Sequence, residues 1–415
     1  MSNVSTLNVF LYDELVGTIT NVGSDRSLFA WTESYIEDAD RSTLSLGFKD
    51  SHGELITDFK ATNTKLIPFF SNLLPEGDMR RYLAEQAGVN PEREFFLLWV
   101  LGQDLAGAVT VKPADGEELP PNINFPVDED ERKKEEMLRF SLAGVQLKFS
   151  AVQHASGGLT IPASGKGGSW IVKLPSGKFD GVPENEFSMM ELARQVGMNV
   201  PETQLLSTGD IANIPEGVGQ FGGSFKNLRA FAIKRFDRSE DGVVHIEDFA
   251  QVFGVYPHDK YKKASMRNIA EVIGIEGQEE DTAEFIRRLV FNTLIGNADM
   301  HLKNWSLIYS DKRSASIAPA YDFVSTIPYL SDETAALKVS RSKKFSDFSM
   351  DELIHLAAKA RLPEKLVVDT AEETVSLFHE VWKKEKNNLA LSSAVIEAIE
   401  KHLDIIPIAK KKVTQ

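Results

Sequence analysis

The sequence predicts an α+β protein built of several units, on three observations. Apolar and polar residues alternate at the start, short apolar runs punctuated by glycine dominate the middle, and helical periodicity governs the last third. At 415 residues the chain also exceeds one average domain, and length alone suggests two or three units, each burying its own core.

The opening segment TLNVFLYDELVGTIT alternates around Asp13 and Glu14 and reads as a β-hairpin. RRYLAEQAG and EREFFLLWVLG are runs of helix formers, each closed by a glycine stop, and AGAVTVKP reads as a short strand. Residues 1–112 are therefore expected to form a small mixed α/β subdomain. Between 113 and 139, four prolines and a dense charge run predict a solvated connector. Residues 140–244 hold the β-like runs LKFSAVQ, SWIVKLP, TQLLS and RAFAIKRF, with one helix from about Glu184 to Val196, so a sheet with a helix laid on it is expected. Lys234, Arg235 and Asp237, at the end of FAIKRFDR, would by default form a solvated edge. Residues 245–415 are expected to be all-helical. DTAEFIRRLVFNTLIG has an Asp/Thr start and a Gly-Asn stop, and SMDELIHLAAKARL opens with a Ser349/Glu352 capping box. AEETVSLFHEVWKKEK and SSAVIEAIEKHL follow, and the closing KKKVTQ reads as a frayed, solvated tail.

Composition narrows the chemistry. With 42% hydrophobic and 26% charged residues and a mean hydropathy of −0.20, neither disorder nor membrane embedding is favoured. The N-terminus lacks a basic stretch followed by an apolar one, so a secretory signal is not expected and the cytoplasm is the default location. Cysteine is absent, which removes disulfides, thiolate metal sites and cysteine nucleophiles. No histidine pair has zinc-binding spacing, so any metal is expected to be a hard cation on oxygen ligands. A net charge of −15 argues against a chain that wraps nucleic acid by itself; DNA contact would need a basic partner.

One polar stretch stands out. GNADMHLKNWSLIY follows an apolar helix and sets Asp299 and Asn304 at the Asp-x-x-x-x-Asn spacing of a kinase catalytic loop, with the Asp as base and the Asn as metal ligand. The spacing alone is weak, since about one such pair arises by chance in a chain this long. Further on, IAPAYDFVS places Asp322-Phe323 where a metal-binding Asp would sit, although Val324 replaces the usual glycine. Upstream, Lys173 lies inside the apolar run SWIVKLP, where a lysine is costly unless it meets an anion or the strand lies at the surface. Glu186 shares a helix face with Met189, Met190 and Ala193; it needs a cationic partner, or else it serves the helix dipole in the first turn. FSLAGVQLKFS is a poor glycine-rich phosphate loop, GKGGSW reads as a turn, and His301 reads as a structural hydrogen-bonder.

Together these segments resemble the HipA family of bacterial serine/threonine kinases, toxins of type II toxin–antitoxin modules. FFSNLLPEG, GQDLAGAVTVKP, SLAGVQLK, WIVKLP, NEFSMMELARQVGMNVP, AIKRFDR, DMHLKN and PAYDF occur in order along nearly the whole chain. The resemblance implies a two-lobed protein-kinase-like fold with an extra N-terminal subdomain and ATP bound between lobes. By position it makes Asp299 the base, Asn304 and Asp322 Mg²⁺ ligands, and Lys173 a phosphate contact paired with Glu186. The 233–236 stretch, with Lys234 and Phe236, becomes the adenine hinge, and the SLAGVQLK loop, with Ala143, Gly144 and Lys148, takes the phosphate-loop position. Ser141 falls where the family carries an inhibitory autophosphorylated serine. Lys234 and Leu147 depart from the pattern of a well-known member, which has an acidic and a charged residue there.

The implied activity is ATP-dependent phosphorylation of a protein serine in translation, such as glutamyl-tRNA synthetase or another aminoacyl-tRNA synthetase, with growth arrest and persistence as the consequence. The implied partner is a HipB-like helix-turn-helix antitoxin, through which operator DNA is reached. Two other readings stay open from the residues: a small-molecule kinase, and a catalytically silent subunit of a DNA-bound repressor.

Overall fold

The computed structural model describes residues 5–114, 148–153, 159–162, 167–214, 228–330 and 334–410. The connector beyond residue 114, the stretch holding Ser141, Ala143, Gly144 and Leu147, and residues 411–415 lie outside the described residues. The chain divides into two compact units: one takes residues 1–145, 237–259 and 308–313, and the other takes 146–236, 260–307 and 314–415.

The first unit is built on strands β1 (Ser5–Leu11), β2 (Glu14–Asn21), β3 (Arg26–Trp31), β4 (Thr62–Asn63) and β5 (Val109–Pro113), in the order β4-β3-β2-β1-β5. Tyr12 and Asp13 turn the expected hairpin with φ of +51° and +66°, the pair of left-handed residues whose twist matches that of the strands. Alternation then sends Leu7, Val9 and Leu11 into the core. Strand β3 is an addition to the elements expected from sequence. Helices α1 (Glu33–Glu37), α2 (Pro68–Leu73), α3 (Gly77–Ala87) and α4 (Glu94–Leu101) belong to the same unit, and Phe69, Phe70, Phe96 and Leu97 join its core. Gly102, which stops α4, is demanded by packing: a Cβ there would lie 2.6 Å from the Val111 carbonyl.

A buried carboxylate ties this unit together. Glu247, on the strand His245–Asp248, accepts hydrogen bonds from the Leu46 amide at 2.9 Å, the Tyr309 hydroxyl at 2.5 Å and the Ser45 hydroxyl. Burial pushes its pKa up to about 7 against these three bonds. The neighbouring His245 is driven down to about 4 by burial and is neutral throughout that range. Because the folded pKa of Glu247 exceeds its ordinary 4.5, folding takes up a proton between those values. This stability is fully present below about 4.5 and is lost as pH rises through about 7, by on the order of 3 kcal/mol. Glu247→Gln is expected to flatten the fall in stability over that window, measured by urea unfolding at a series of pH values. A slope identical to that of the parent would show that Glu247 is ionised throughout.

In the second unit a six-stranded sheet has the order β10-β7-β6-β8-β11-β9. Its strands are β6 (Lys148–Gln153), β7 (Leu159–Thr160), β8 (Trp170–Lys173), β9 (Thr203–Ser207), β10 (Ile211–Ala212) and β11 (Arg229–Lys234). Helix α5 (Val182–Gln195) lies on β9 and β11 and buries Met189, Met190 and Ala193 completely. Helices α6 (Met266–Glu276), α7 (Glu279–Leu294), α8 (Met350–Ala360), α9 (Glu364–Glu385) and α10 (Ser393–Ile405) follow. Helix α9 packs along both α7 and α8, and Phe291 of α7 meets Phe378 edge-on at 5.8 Å and Phe323 in a tilted pair at 5.4 Å.

Three expectations need correction. The region 245–415 is not all-helical, since it contains the strands His245–Asp248, Ser306–Tyr309 and Ser316–Ile317; SLIY, hemmed between Trp305 and the turn at Lys312 (φ +72°), is too short for a helix. The capping box of α8 forms only by half. Ser349 accepts from the Glu352 amide, but the Glu352 carboxylate accepts instead from the Ser340 and Arg341 amides and the Arg341 guanidinium, charge-assisted bonds that outweigh one neutral contact. Finally, Arg235 and Asp237 are buried rather than on a solvated edge. The Arg235 guanidinium reaches the Ser150 hydroxyl in the second unit, and Asp237 accepts from the Gly107 amide at 2.8 Å and from Arg238 in the first.

Candidate active site

Strand register puts two lysines side by side. Lys148 on β6 pairs directly with Lys173 on β8, a like-charge neighbour pair that destabilises a sheet unless an anion lies between its members. Asp322 supplies that anion. Its carboxylate bonds Lys173 and lies 3.7 Å from the Lys148 ammonium. Lys173 also bonds Glu186 of α5, and all three members of this chain of charges are largely sheltered from solvent.

Electrostatics follow from burial and pairing. Burial alone would lower the pKa of Lys173, but the carboxylates of Asp322 and Glu186 and their hydrogen bonds outweigh it and hold the ammonium well above its ordinary range. Burial would raise Asp322, yet Lys148 and Lys173 pull it well below the usual carboxylate range. Glu186 goes up, because burial outweighs the attraction of Lys173, and Lys148 goes down for the same reason despite Asp322. The cluster thus keeps one firmly ionised carboxylate beside two cross-strand lysines.

Asp322 reaches this position through a left-handed backbone, φ +57°, a conformation that costs about 1–3 kcal/mol for a residue with a side chain and persists only where its surroundings hold it. Here they do. Asn185, adjacent to Glu186 on α5, donates to the Ser325 carbonyl at 2.9 Å and accepts from the Ser325 amide at 3.0 Å. Asn297 donates to the Asp322 carbonyl at 3.3 Å.

The loop bearing Asp299 begins where α7 stops. Gly296 adopts φ +68°, and a Cβ there would meet Ile327 at 2.6 Å, so helix termination and packing both require glycine. Asn297 accepts from the Asp299 amide at 3.1 Å, and Thr326 accepts from the Ala298 amide at 2.8 Å. Asn304 donates its side-chain N–H to the Asp299 carbonyl at 2.9 Å, which fixes the orientation of its amide. Tyr261 donates to Asp299 Oδ1 at 2.6 Å. Asp299 and Asn304 are buried at 8% and 7% exposure.

Among the other residues singled out from sequence, Phe236 lies against Tyr321 with ring centroids 5.8 Å apart, just before Asp322. Lys234 ends β11; its amide donates to the Glu202 carbonyl and its ammonium lies 3.7 Å from the Glu202 carboxylate. Lys303 contributes its carbonyl to the Tyr321 hydroxyl, and His301 is buried edge-on to Tyr261. Four residues that support the site escaped the sequence reading: Asn185, Tyr261, Asn297 and Thr326. Asn297 was visible only as part of a helix stop, and a buried asparagine beside a glycine stop was the available signal.

A hard divalent cation would find oxygen donors of the kind it accepts in the ionised carboxylate of Asp322 and the amide carbonyl of Asn304.

Residues 140–382 match the HipA-like C-terminal domain, and residues 7–112 match the HipA N-terminal domain. The chain is 56% identical over 414 residues, 99% of each chain, to Y4dM of Sinorhizobium fredii, a protein classed provisionally as a kinase. It is 26% identical over 357 residues, 78% of this chain and 76% of the relative, to the serine/threonine-protein kinase toxin HipA of Shewanella oneidensis. A chain from the solved Shewanella oneidensis MR-1 complex of HipA, HipB and operator DNA superposes with a TM-score of 0.72 at 22% identity, covering 95% of this chain and 94% of that one. The fold is therefore a kinase-like α+β fold. The chain belongs to the HipA family of kinases.

Proposed function

We propose that this protein is an ATP- and Mg²⁺-dependent serine/threonine protein kinase acting as the toxin of a toxin–antitoxin module. The observation that carries the reading is the chain Glu186–Lys173–Asp322, together with the Asp299/Asn304 loop tied to the Asp322 segment through Asn297. Phosphoryl transfer asks of the protein positioning and charge rather than covalent chemistry. Lys173 and Lys148 would draw the phosphates of ATP, and Phe236 and the backbone around Lys234 would receive the adenine. Asn304 and Asp322 would hold Mg²⁺, which when bound neutralises charge on the phosphates. Asp299 orients the acceptor hydroxyl and takes its proton as the hydroxyl oxygen bonds to the γ-phosphorus and the bond to ADP breaks.

The substrate is a protein of translation, an aminoacyl-tRNA synthetase such as glutamyl-tRNA synthetase, and its modification arrests growth in the cytoplasm. A HipB-like antitoxin restrains the kinase and carries it to operator DNA. The net charge of −15 supports that division of labour, because phosphate contacts would fall to the partner. No described helix is long and apolar enough to cross a membrane.

Incubation with γ-labelled ATP, Mg²⁺ and a cell lysate, beside Asp299→Ala, tests the reading. A labelled protein band that the variant fails to produce is expected. Label confined to a small metabolite would favour a small-molecule kinase, and no labelling at all would favour a silent subunit. The family resemblance implies that autophosphorylation of Ser141, which would add close to two negative charges, switches the enzyme off. Ser141→Ala is accordingly expected to lose self-labelling, read by mass spectrometry of the ATP-treated protein, and undiminished self-labelling would reject that serine.

A further inference from the structure

We propose that Tyr261 is a positioning residue for Asp299, fixing the rotamer of its carboxylate so that the acceptor proton is received in line; the inference rests on the reading of Asp299 as the base. The Asp299 backbone is held at both ends, its amide by Asn297 at 3.1 Å and its carbonyl by Asn304 at 2.9 Å. Those bonds fix the main chain but leave the side-chain torsions unspecified. Tyr261 acts on the side chain directly, its hydroxyl donating to Oδ1 at 2.6 Å, a short bond of the strong charge-assisted kind.

Tyr261 is itself anchored to the same loop. Its ring stands edge-on to His301, 5.0 Å between centroids at 82°, and the buried Lys260 ammonium lies 5.6 Å from the ring centre. The Leu302 amide donates to the Lys260 carbonyl at 3.4 Å. Residues 260–261 are thus docked on the segment between Asp299 and Asn304, and His301, unassigned from sequence, acquires a role as the wall that orients the tyrosine. A tyrosine suits this task because its rigid ring carries a single donor to a fixed distance, whereas a lysine would present three donors on a flexible stem.

The test is Tyr261→Phe, which retains the ring against His301 and deletes only the donor, in the full-length protein beside Asp299→Ala and the double variant. Misplacement of a reacting group by about 1 Å costs about a hundredfold; a kcat reduced by tenfold to a hundredfold is expected, with the KM for ATP within about twofold of the parent. Tyr261→Phe should add nothing in the Asp299→Ala background, because groups acting through one another are not additive. An unchanged kcat, or an effect of equal size in both backgrounds, would overturn the assignment of Tyr261 while leaving Asp299 as the base. If Asp299→Ala transfers as fast as the parent, the base reading falls and this inference with it.

Discussion

Lys173→Met is expected to lower stability by about 3–5 kcal/mol and to abolish ATP-dependent labelling. The reasoning is one of uncompensated charge. Methionine fills the volume, so packing is nearly conserved, but Glu186 and Asp322 are left buried without the ammonium both of them bond. Lys148 replaces it only in part: it still pairs Asp322 at 3.7 Å, but burial lowers its own pKa. The deficit should depend on pH with a definite sign. In the parent, the lysines hold the Asp322 pKa below its ordinary value, so that carboxylate contributes stability above about pH 4 that is lost on acidification. In the variant, desolvation is opposed by less positive charge, both carboxylates retain protons more readily, and the deficit shrinks as pH falls. Urea unfolding at neutral and mildly acidic pH reads both effects. Adding Glu186→Gln should restore part of the loss by removing one of the two stranded charges. A Lys173→Met protein as stable as the parent would mean that the cluster is solvated rather than buried.

How much of this was legible in the sequence depends on the range of the interactions. The hairpin at Tyr12 and Asp13, the glycine stops of α3, α4 and α7, and the apolar face of α5 are local, written in the spacing of residues within one or two turns. Lys173 and Glu186 could be suspected individually, because a charge in an apolar run or on an apolar helix face needs a partner. The kinase resemblance already pairs the two; that Asp322 is the third member, with Lys148 beside it, is a tertiary fact. It depends on β8 pairing with β6 in the register that sets Lys148 opposite Lys173, which no local pattern states. The misread elements have the same origin. Arg235 and Asp237 look like surface charges until the sheet and the Gly107 amide are in place to satisfy them, and Glu352 suits a capping box until Arg341 competes for it. Tyr261 carries no motif at all: it is a common polar residue whose role exists only through a bond to Asp299 from elsewhere in the chain. Asn297 reads from sequence only as half of a helix stop, and its bonds to the Asp299 amide and the Asp322 carbonyl appear only in the fold.

Asp299→Asn isolates the proposed base from everything that holds it. The amide has nearly the carboxylate's shape, so the Tyr261 hydroxyl can still donate to the side-chain oxygen and Asn304 still bonds the main-chain carbonyl. The loop should therefore fold as before, with a thermal midpoint within about a degree or two of the parent, because a near-isosteric change that keeps its hydrogen bonds costs little. What the amide cannot do is accept a proton from the acceptor hydroxyl. General-base assistance contributes about 10²–10⁴-fold, and a single-turnover rate reduced by that factor is expected, with ATP affinity unaltered. The contrast with Asp322→Asn gives the measurement its force. That change removes the ionised carboxylate the two lysines share and a proposed Mg²⁺ ligand at once, so it should weaken Mg²⁺-dependent ATP binding as well as the rate. Separate signatures, rate alone for position 299 and rate with affinity for position 322, would assign proton transfer and metal binding to different residues. Equal losses of ATP affinity at both positions would instead make Asp299 part of the nucleotide site, and the base would have to be sought elsewhere.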